Sequence, residues 1–296
     1  MKVEELEALR KKAVLIALIG FPLTAILFLV LAAADMPVLA FAVLVAGGVT
    51  AGILFYKARR SFSLAYKEAF VKTALEDTFD DLTYDPDGGL PRDVIADTGF
   101  MDMGDHYTAT DYIKGSYKSI PVELSSILIQ EEHTDTDSKG NTTTSLETLF
   151  QGQWMIFKFN KNFTSTVQVR QKFFANTISN LFTKKGKKVE MEDTEFNKLF
   201  NVFSGSQQEA FYILTPQIMA KMKEIAKANS GSEMMYGFKD NLLHIAVSSS
   251  EDSFSPKLFK KIDEEKAKKA ISSGISLITD FVDYLQLDND LFLTKE

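Results

Sequence analysis

The histidines of this sequence lie beside acidic residues or inside an apolar run, and they are its best candidates for metal or acid–base chemistry. His106 follows Asp102 and Asp105, and one imidazole with two carboxylates could hold a divalent cation. These three residues form the sharpest metal-site hypothesis that the residue types support. The alternative is a loop in which solvent surrounds all three side chains.

The other two histidines suggest less chemistry. His133 lies in the acidic stretch 131–137 and has the same solvated alternative. His244 lies in the apolar run 242–247, where alternating side chains predict a strand. We therefore expect His244 to be a hydrogen-bonded structural residue.

The segment after His133 partly matches a calcium-binding EF-hand loop. Asp135 and Asp137 occupy its first and third places, but Lys139 stands at the fifth and Leu146 at the twelfth. A lysine among the ligands would repel the cation, and the flanks have strand patterns where helices are required. The sequence therefore predicts a hairpin turn at residues 138–141 and no calcium site.

Motifs that would require a particular reaction class are absent from the sequence. It contains no HExxH, GxGxxG, GxxxxGK[ST] or GxSxG pattern, and it has no cysteine. We therefore expect no catalytic residue and no cofactor.

The chain is acidic outside its first sixty residues. The sequence contains 33 Lys and Arg and 40 Asp and Glu residues. Residues 1–60 contain seven of the basic residues and four of the acidic ones. The rest of the chain therefore carries a net charge near −10. Nucleic acids bind through clustered Lys and Arg, so this balance argues against a nucleic-acid partner.

Two uncharged apolar runs near the N-terminus are long enough to cross a bilayer. Residues 13–34 and 37–56 would extend about 33 Å and about 30 Å as helices, at roughly 1.5 Å per residue. Only Asp35 and Met36 separate the runs, so residues 1–60 should form an antiparallel transmembrane hairpin. The alternative is a secretory signal peptide cleaved after residues 32–34.

Basic residues flank this hairpin at one end. Three precede the first span, three follow the second and none lies in the turn, which predicts cytoplasmic N- and C-termini. They are Arg10, Lys11, Lys12, Lys57, Arg59 and Arg60. No ionisable residue lies inside either span, which argues against a transporter.

Gly48 and Gly52 form a GxxxG pair in the second span. Such a pair lets another membrane helix approach closely. The other helix would be the first span of the same chain or a helix of a second copy. We therefore predict a transmembrane packing role for the pair, within the hairpin or in a homo-oligomer.

The remaining chain predicts a stalk and an α+β domain. Residues 61–79 have the apolar spacing of an amphipathic helix, and residues 80–296 would form the cytoplasmic domain, beginning with turn-rich residues 80–89. Alternation predicts mostly antiparallel strands at 107–117, 120–131, 142–159, 200–203, 210–214, 234–238 and 242–247. Thr215 and Pro216 predict the start of one packed helix, and residues 264–287 have the pattern of another.

Several segments together resemble a known family. They are YIKGSYKSIPVELS, TDSKGNT, TLFQGQWMIFKFNK, FNVFSGSQQEAFYILTP and FKDNLLHIAVS, of which YILTP at 212–216 is the most specific. With the hairpin, they resemble an uncharacterised bacterial family of two-span membrane proteins, catalogued as a domain of unknown function and often encoded near LemA-type proteins. The resemblance implies a bacterial inner-membrane location and an α+β cytoplasmic domain, but no activity.

These features favour a membrane-anchored interaction or regulatory module without catalysis. Its partners would be the lipid bilayer and a protein, either another protein or a second copy, recruited through exposed sheet edges. One alternative is a membrane-tethered domain that binds a lipid or small molecule in an apolar cleft. Another is a divalent-metal hydrolase.

Overall fold

The chain divides into two units, each built on a different kind of secondary structure. The structure, a computed structural model, describes residues 3–136, 140–158, 163–172, 186–249 and 252–285. One unit comprises Met1–Asp77 with Ser253–Gly274, and the other comprises Thr78–Asp252 with Ile275–Glu296. Two long apolar helices dominate the first and an antiparallel sheet with helices the second, which confirms the predicted α+β class.

The two long helices of the first unit are joined by a tight turn. Helix α1 spans Val3–Ala33 and helix α2 spans Pro37–Glu76, and both are long and apolar enough to cross a membrane. Asp35 in the turn adopts a left-handed φ of 57°. The second helix also includes residues 61–76 of the predicted stalk; the division into membrane, stalk and cytoplasmic parts stays a prediction.

A π-helical turn interrupts α1 at Ile16–Gly20. It lies directly before Pro22, whose ring nitrogen cannot donate the hydrogen bond that a regular α-helix requires there. A wider turn accommodates the missing donor. The helix therefore continues past Pro22 with a π turn in place of a break.

The N-terminal end of α1 packs within this unit against residues from the C-terminal part of the chain. The Arg10 guanidinium donates two hydrogen bonds of 2.8 Å to the carboxylate of Glu7 and one of 3.1 Å to the backbone oxygen of Leu258. Leu6 is fully buried. Residues 3–12 are therefore part of a packed structure, whereas the sequence had indicated only a basic flank.

The second unit contains a nine-stranded sheet among the described residues, and every neighbouring pair of strands is antiparallel. The strands are β1 (Asp80–Asp85), β2 (His106–Tyr117), β3 (Ile120–Thr136), β4 (Thr142–Lys158), β5 (Val167–Gln171), β6 (Lys187–Val189), β7 (Phe200–Ser204), β8 (Met234–Lys239) and β9 (Leu242–Ser248). Their order in the sheet is β1-β2-β3-β4-β9-β8-β5-β7-β6. Strand β9, the last in the chain, therefore pairs with β4, and these two strands lie at the middle of the sheet.

Helices accompany the sheet, and one core cluster surrounds the tryptophan. The helices are α3 (Arg92–Ala96), α4 (Thr194–Leu199), α5 (Gln207–Ile213), α6 (Pro216–Ala228) and α7 (Glu264–Leu285), of which α7 belongs to this unit from residue 275. Trp154 on β4 is fully buried. The core around it includes Ile95, Phe100, Ile127, Ile129, Phe150, Ile156 and Met235.

Two predicted elements are wrong. The stretch 80–89 is not a turn throughout, because Asp80–Asp85 forms an edge strand paired with β2. Residues 210–214 are not a strand, because α5 begins after Ser206, whose side chain accepts a hydrogen bond from the backbone N–H of Glu209. This Ser-x-x-Glu spacing is a helix N-terminal signal that outweighs the apolar run after it.

Candidate functional site

Strands β3 and β4 extend beyond their neighbours as a two-stranded arm. Their pairing continues as far as Thr136 and Thr142, whereas β2 last pairs with β3 at Gln130 and β9 last pairs with β4 at Gly152. We call residues 131–136 and 142–147 the arm. Within the described parts of the chain, no strand pairs with the outer edges of the arm. The tip between Thr136 and Gly140, with Asp137 and Lys139 of the rejected calcium loop, lies outside the described residues.

A β-bulge decides which side chains face each other in the arm. In the body of the sheet Ile129 pairs with Phe150, but in the arm Glu131 pairs with Glu147, so the register has shifted by one residue on β4. Without that shift Thr148 would stand opposite Glu131. Because successive strand residues point to opposite faces, the bulge brings Glu147 onto the face of Glu131.

Three metal-ligating side chains meet on that face. His133 Nε2 lies 2.8 Å from a carboxylate oxygen of Glu147 and 3.8 Å from one of Glu131. One ligand atom from each of the three residues lies within 4.8 Å of the other two. Like charges directly opposite on neighbouring strands repel, so a cation between the two carboxylates would stabilise this arrangement.

The candidate residues His106, Asp102 and Asp105 lie elsewhere. His106 Nε2 is 3.2 Å from a carboxylate oxygen of Glu132, on the opposite face of β3. The Asp105 carboxylate accepts the backbone N–H of Glu132 at 2.9 Å, and that of Asp102 accepts the N–H of Gly104 at 3.1 Å. Two of the three therefore already hold backbone groups, and their metal role stays a prediction.

His244 is a structural residue, as the strand pattern predicted. It is 2% exposed, and the Trp154 indole N–H donates a 3.2 Å hydrogen bond to its Nδ1. Burial, with a smaller effect of the Lys239 charge, lowers the pKa of His244 to about 4. The imidazole is therefore neutral near pH 7 and serves as the acceptor that the buried indole needs.

A small polar cavity lies beside β5 and β7. It has a volume of about 100 Å³ and is lined by Gln168, Ser204 and Thr98 among others. The buried Gln168 donates to the Phe100 backbone oxygen at 3.2 Å. Sites for small organic ligands usually measure at least about 300 Å³. This cavity therefore has room for a few waters rather than for a lipid.

In the helical hairpin, a neighbouring glycine rather than the predicted pair makes the close contact. A Cβ added at Gly47 would lie 2.5 Å from Thr24 Cγ2, whereas one at Gly48 or Gly52 would meet no described atom within 4 Å. Gly47 thus lets α1 and α2 approach each other. The packing role of the GxxxG pair, within the hairpin or in a homo-oligomer, stays a prediction.

The family comparison matches one continuous part of the fold. Residues 148–287 match the family model "Protein of unknown function (DUF3137)". For this segment alone, the match confirms the predicted resemblance to a domain of unknown function. The matched segment begins inside β4 and contains the rest of that strand and all of β5, β6, β7, β8 and β9. Glu131, His133 and Glu147 come before it in the sequence.

The similarity of this chain to individual known proteins is distant. No curated protein sequence matches the chain. Among solved structures, a distant match is the crystal structure of the mycobacterial trehalose monomycolate transport factor A, TtfA. That match has 11% sequence identity and a TM-score of 0.40, and covers 75% of this chain and 94% of the other.

Proposed function

We propose that this chain is a membrane-anchored interaction module without catalysis, which docks an extended segment of a partner protein on the arm. The observation that carries the proposal is the pair of arm edges with which no described strand pairs. An extended segment can add to such an edge through main-chain hydrogen bonds. Polar and charged side chains along the arm oppose indiscriminate edge-to-edge aggregation.

The charge of the arm specifies the chemistry of the partner. The arm residues, 131–136 and 142–147, include four carboxylates and one histidine but no lysine or arginine. A segment containing Lys or Arg would be attracted to this surface, and an acidic one would be repelled. The partner segment is therefore extended and basic.

The anchor is the helical hairpin. Many large apolar side chains of α1 and α2 are exposed, among them Leu23, Leu29, Phe41 and Val49. Hydrocarbon is the solvent that such a surface requires. The basic flanks support cytoplasmic termini, and the family resemblance supports a bacterial inner membrane.

Site-specific photo-crosslinking of the full chain in its native membrane tests the docking proposal. A photoreactive amino acid at Thr143 on the arm should capture a protein whose cross-linked peptide contains Lys or Arg. The same amino acid at Glu195, an exposed position on α4, is the control and should not capture it. The charge reversals Glu132→Lys and Asp135→Lys should abolish the product. Absence of a product at Thr143, or equal capture at both positions, would contradict docking on the arm.

A further inference from the structure

We propose that the arm binds one divalent transition-metal ion, Zn²⁺ in particular, between Glu131, His133 and Glu147. This inference goes beyond docking, because the three ligands belong to one chain and need no partner. An imidazole and carboxylates suit Zn²⁺ and its neighbours in the first transition row, whereas Ca²⁺ and Mg²⁺ prefer sites made entirely of oxygen atoms.

The spacing of the ligand atoms fits such an ion. Zn²⁺ takes nitrogen and oxygen ligands at about 2.0–2.2 Å, so two ligand atoms of a tetrahedral site lie about 3.4 Å apart. His133 Nε2 lies 2.8 Å and 3.8 Å from the two glutamate oxygens, on either side of that value. Small side-chain rotations on a fixed backbone would therefore complete three-coordinate binding and leave the fourth position for water.

The charges of the two glutamates also favour a divalent cation at this site. Glu131 and Glu147 face each other directly across the arm and repel when both are ionised. A divalent ion between them would offset both negative charges. The three side chains are 42–47% exposed, so an ion from solution can reach them.

The backbone builds this arrangement through a local irregularity. Ile127 and Ile129 occupy the core face of β3, and the same face continues in the arm as Glu131 and His133. Glu147 joins them only because of the bulge on β4. Bulges next to functional sites commonly re-aim a side chain in this way.

Calorimetric titration of the full chain with ZnCl₂ tests the inference. The protein is purified in detergent without a polyhistidine tag and freed of metal with a chelator. We expect one Zn²⁺ per chain, undiminished by excess Ca²⁺. Removal of a neighbouring group around a zinc site weakens binding about 10–100-fold, so His133→Ala and Glu147→Gln should each weaken it by at least about tenfold.

Exposed carboxylates outside the arm provide the control. Glu195→Gln on α4 and Glu224→Gln on α6, each in an ion pair with a lysine, should leave the affinity unchanged, and Trp154 fluorescence should show that every variant is folded. With Co²⁺ as a spectroscopic substitute, the visible absorption bands should appear in the native chain and disappear in His133→Ala.

Three results would overturn the site: no Zn²⁺ binding, binding that survives in both ligand variants, or equal loss in the control variants Glu195→Gln and Glu224→Gln. The titration contains no partner protein and the crosslinking experiment adds no metal. Failure of the metal site is therefore distinguishable from failure of docking.

Discussion

At the scale of single residues, the buried His244 links the stability of the sheet unit to pH. Its folded-state pKa of about 4 lies below the ordinary histidine value of 6.5. Between these two values the unfolded chain binds a proton that the folded chain does not, so stability falls as pH falls from 6.5 to 4. We expect a loss on the order of 3 kcal/mol from this group alone.

Trp154 is the only tryptophan of the sequence and reports this transition directly. Denaturation followed by its fluorescence, at pH 7 and at pH 4.5, should show the loss in the native chain. His244→Gln keeps an acceptor for the indole N–H but does not titrate, so its midpoint should depend less on pH. An equally steep decline in that variant would assign the effect to other groups.

The cluster on the arm shows how far residue spacing alone could predict a site. Glu131 and His133, two residues apart in a strand pattern, are visibly on one face. The predicted turn at 138–141, however, pairs Glu131 with Thr148 and hides Glu147. The missing information was the one-residue bulge, for which the sequence contains no local signal.

At the scale of secondary-structure elements, the cap of α5 is a separate contribution to stability. Ser206→Ala removes the side-chain acceptor of the Glu209 N–H and should cost about 1 kcal/mol of unfolding free energy. Ser206→Asp restores an acceptor and should be nearly neutral. Trp154 fluorescence in denaturant measures both variants, and equal destabilisation by Ala and Asp would show that the cap is not responsible.

In the helical hairpin, a Cβ at Gly47 would meet Thr24, whereas one at Gly48 or Gly52 would meet nothing within 4 Å. A Cβ at Gly20 would lie 3.6 Å from that of Ala51, which is within the range for a disulfide. The native sequence contains no cysteine that could compete. Gly20→Cys with Ala51→Cys should therefore form an intramolecular disulfide in membranes, detected by the mass shift of blocked thiols.

Adding Gly47→Leu to that pair should reduce disulfide formation, because the new side chain meets Thr24 and overpacking costs about 1–3 kcal/mol. Adding Gly48→Leu, one residue away, should leave the yield unchanged. If both variants behaved alike, the contact at Gly47 would not control the approach of the helices.

At the scale of the whole molecule, the proposed membrane arrangement can be tested by labelling single introduced cysteines, because the native sequence contains none. Asp35→Cys, in the turn between α1 and α2, should react with a membrane-impermeant maleimide added to intact cells. Glu195→Cys, on α4, should react only after the cells are opened, because the basic flanks favour cytoplasmic termini. Labelling of Glu195→Cys in intact cells would contradict the proposed orientation.

The sequence by itself determined the elements whose cause is local. Charge-free length predicts two long helices, alternation predicts most strands, and Thr215 with Pro216 predicts the start of α6, which its cap confirms. These patterns are readable because each residue's preference for water or core recurs with the period of its own helix or strand.

Only the tertiary structure decided the pairings between distant segments. The return of β9 to β4, the edge strand β1, the packing of residues 3–12 near Leu258 and the register of the arm all depend on partners far away in the chain. A one-residue slip leaves a strand's alternation intact but exchanges its two faces. Periodicity therefore could not predict that Glu131, His133 and Glu147 meet.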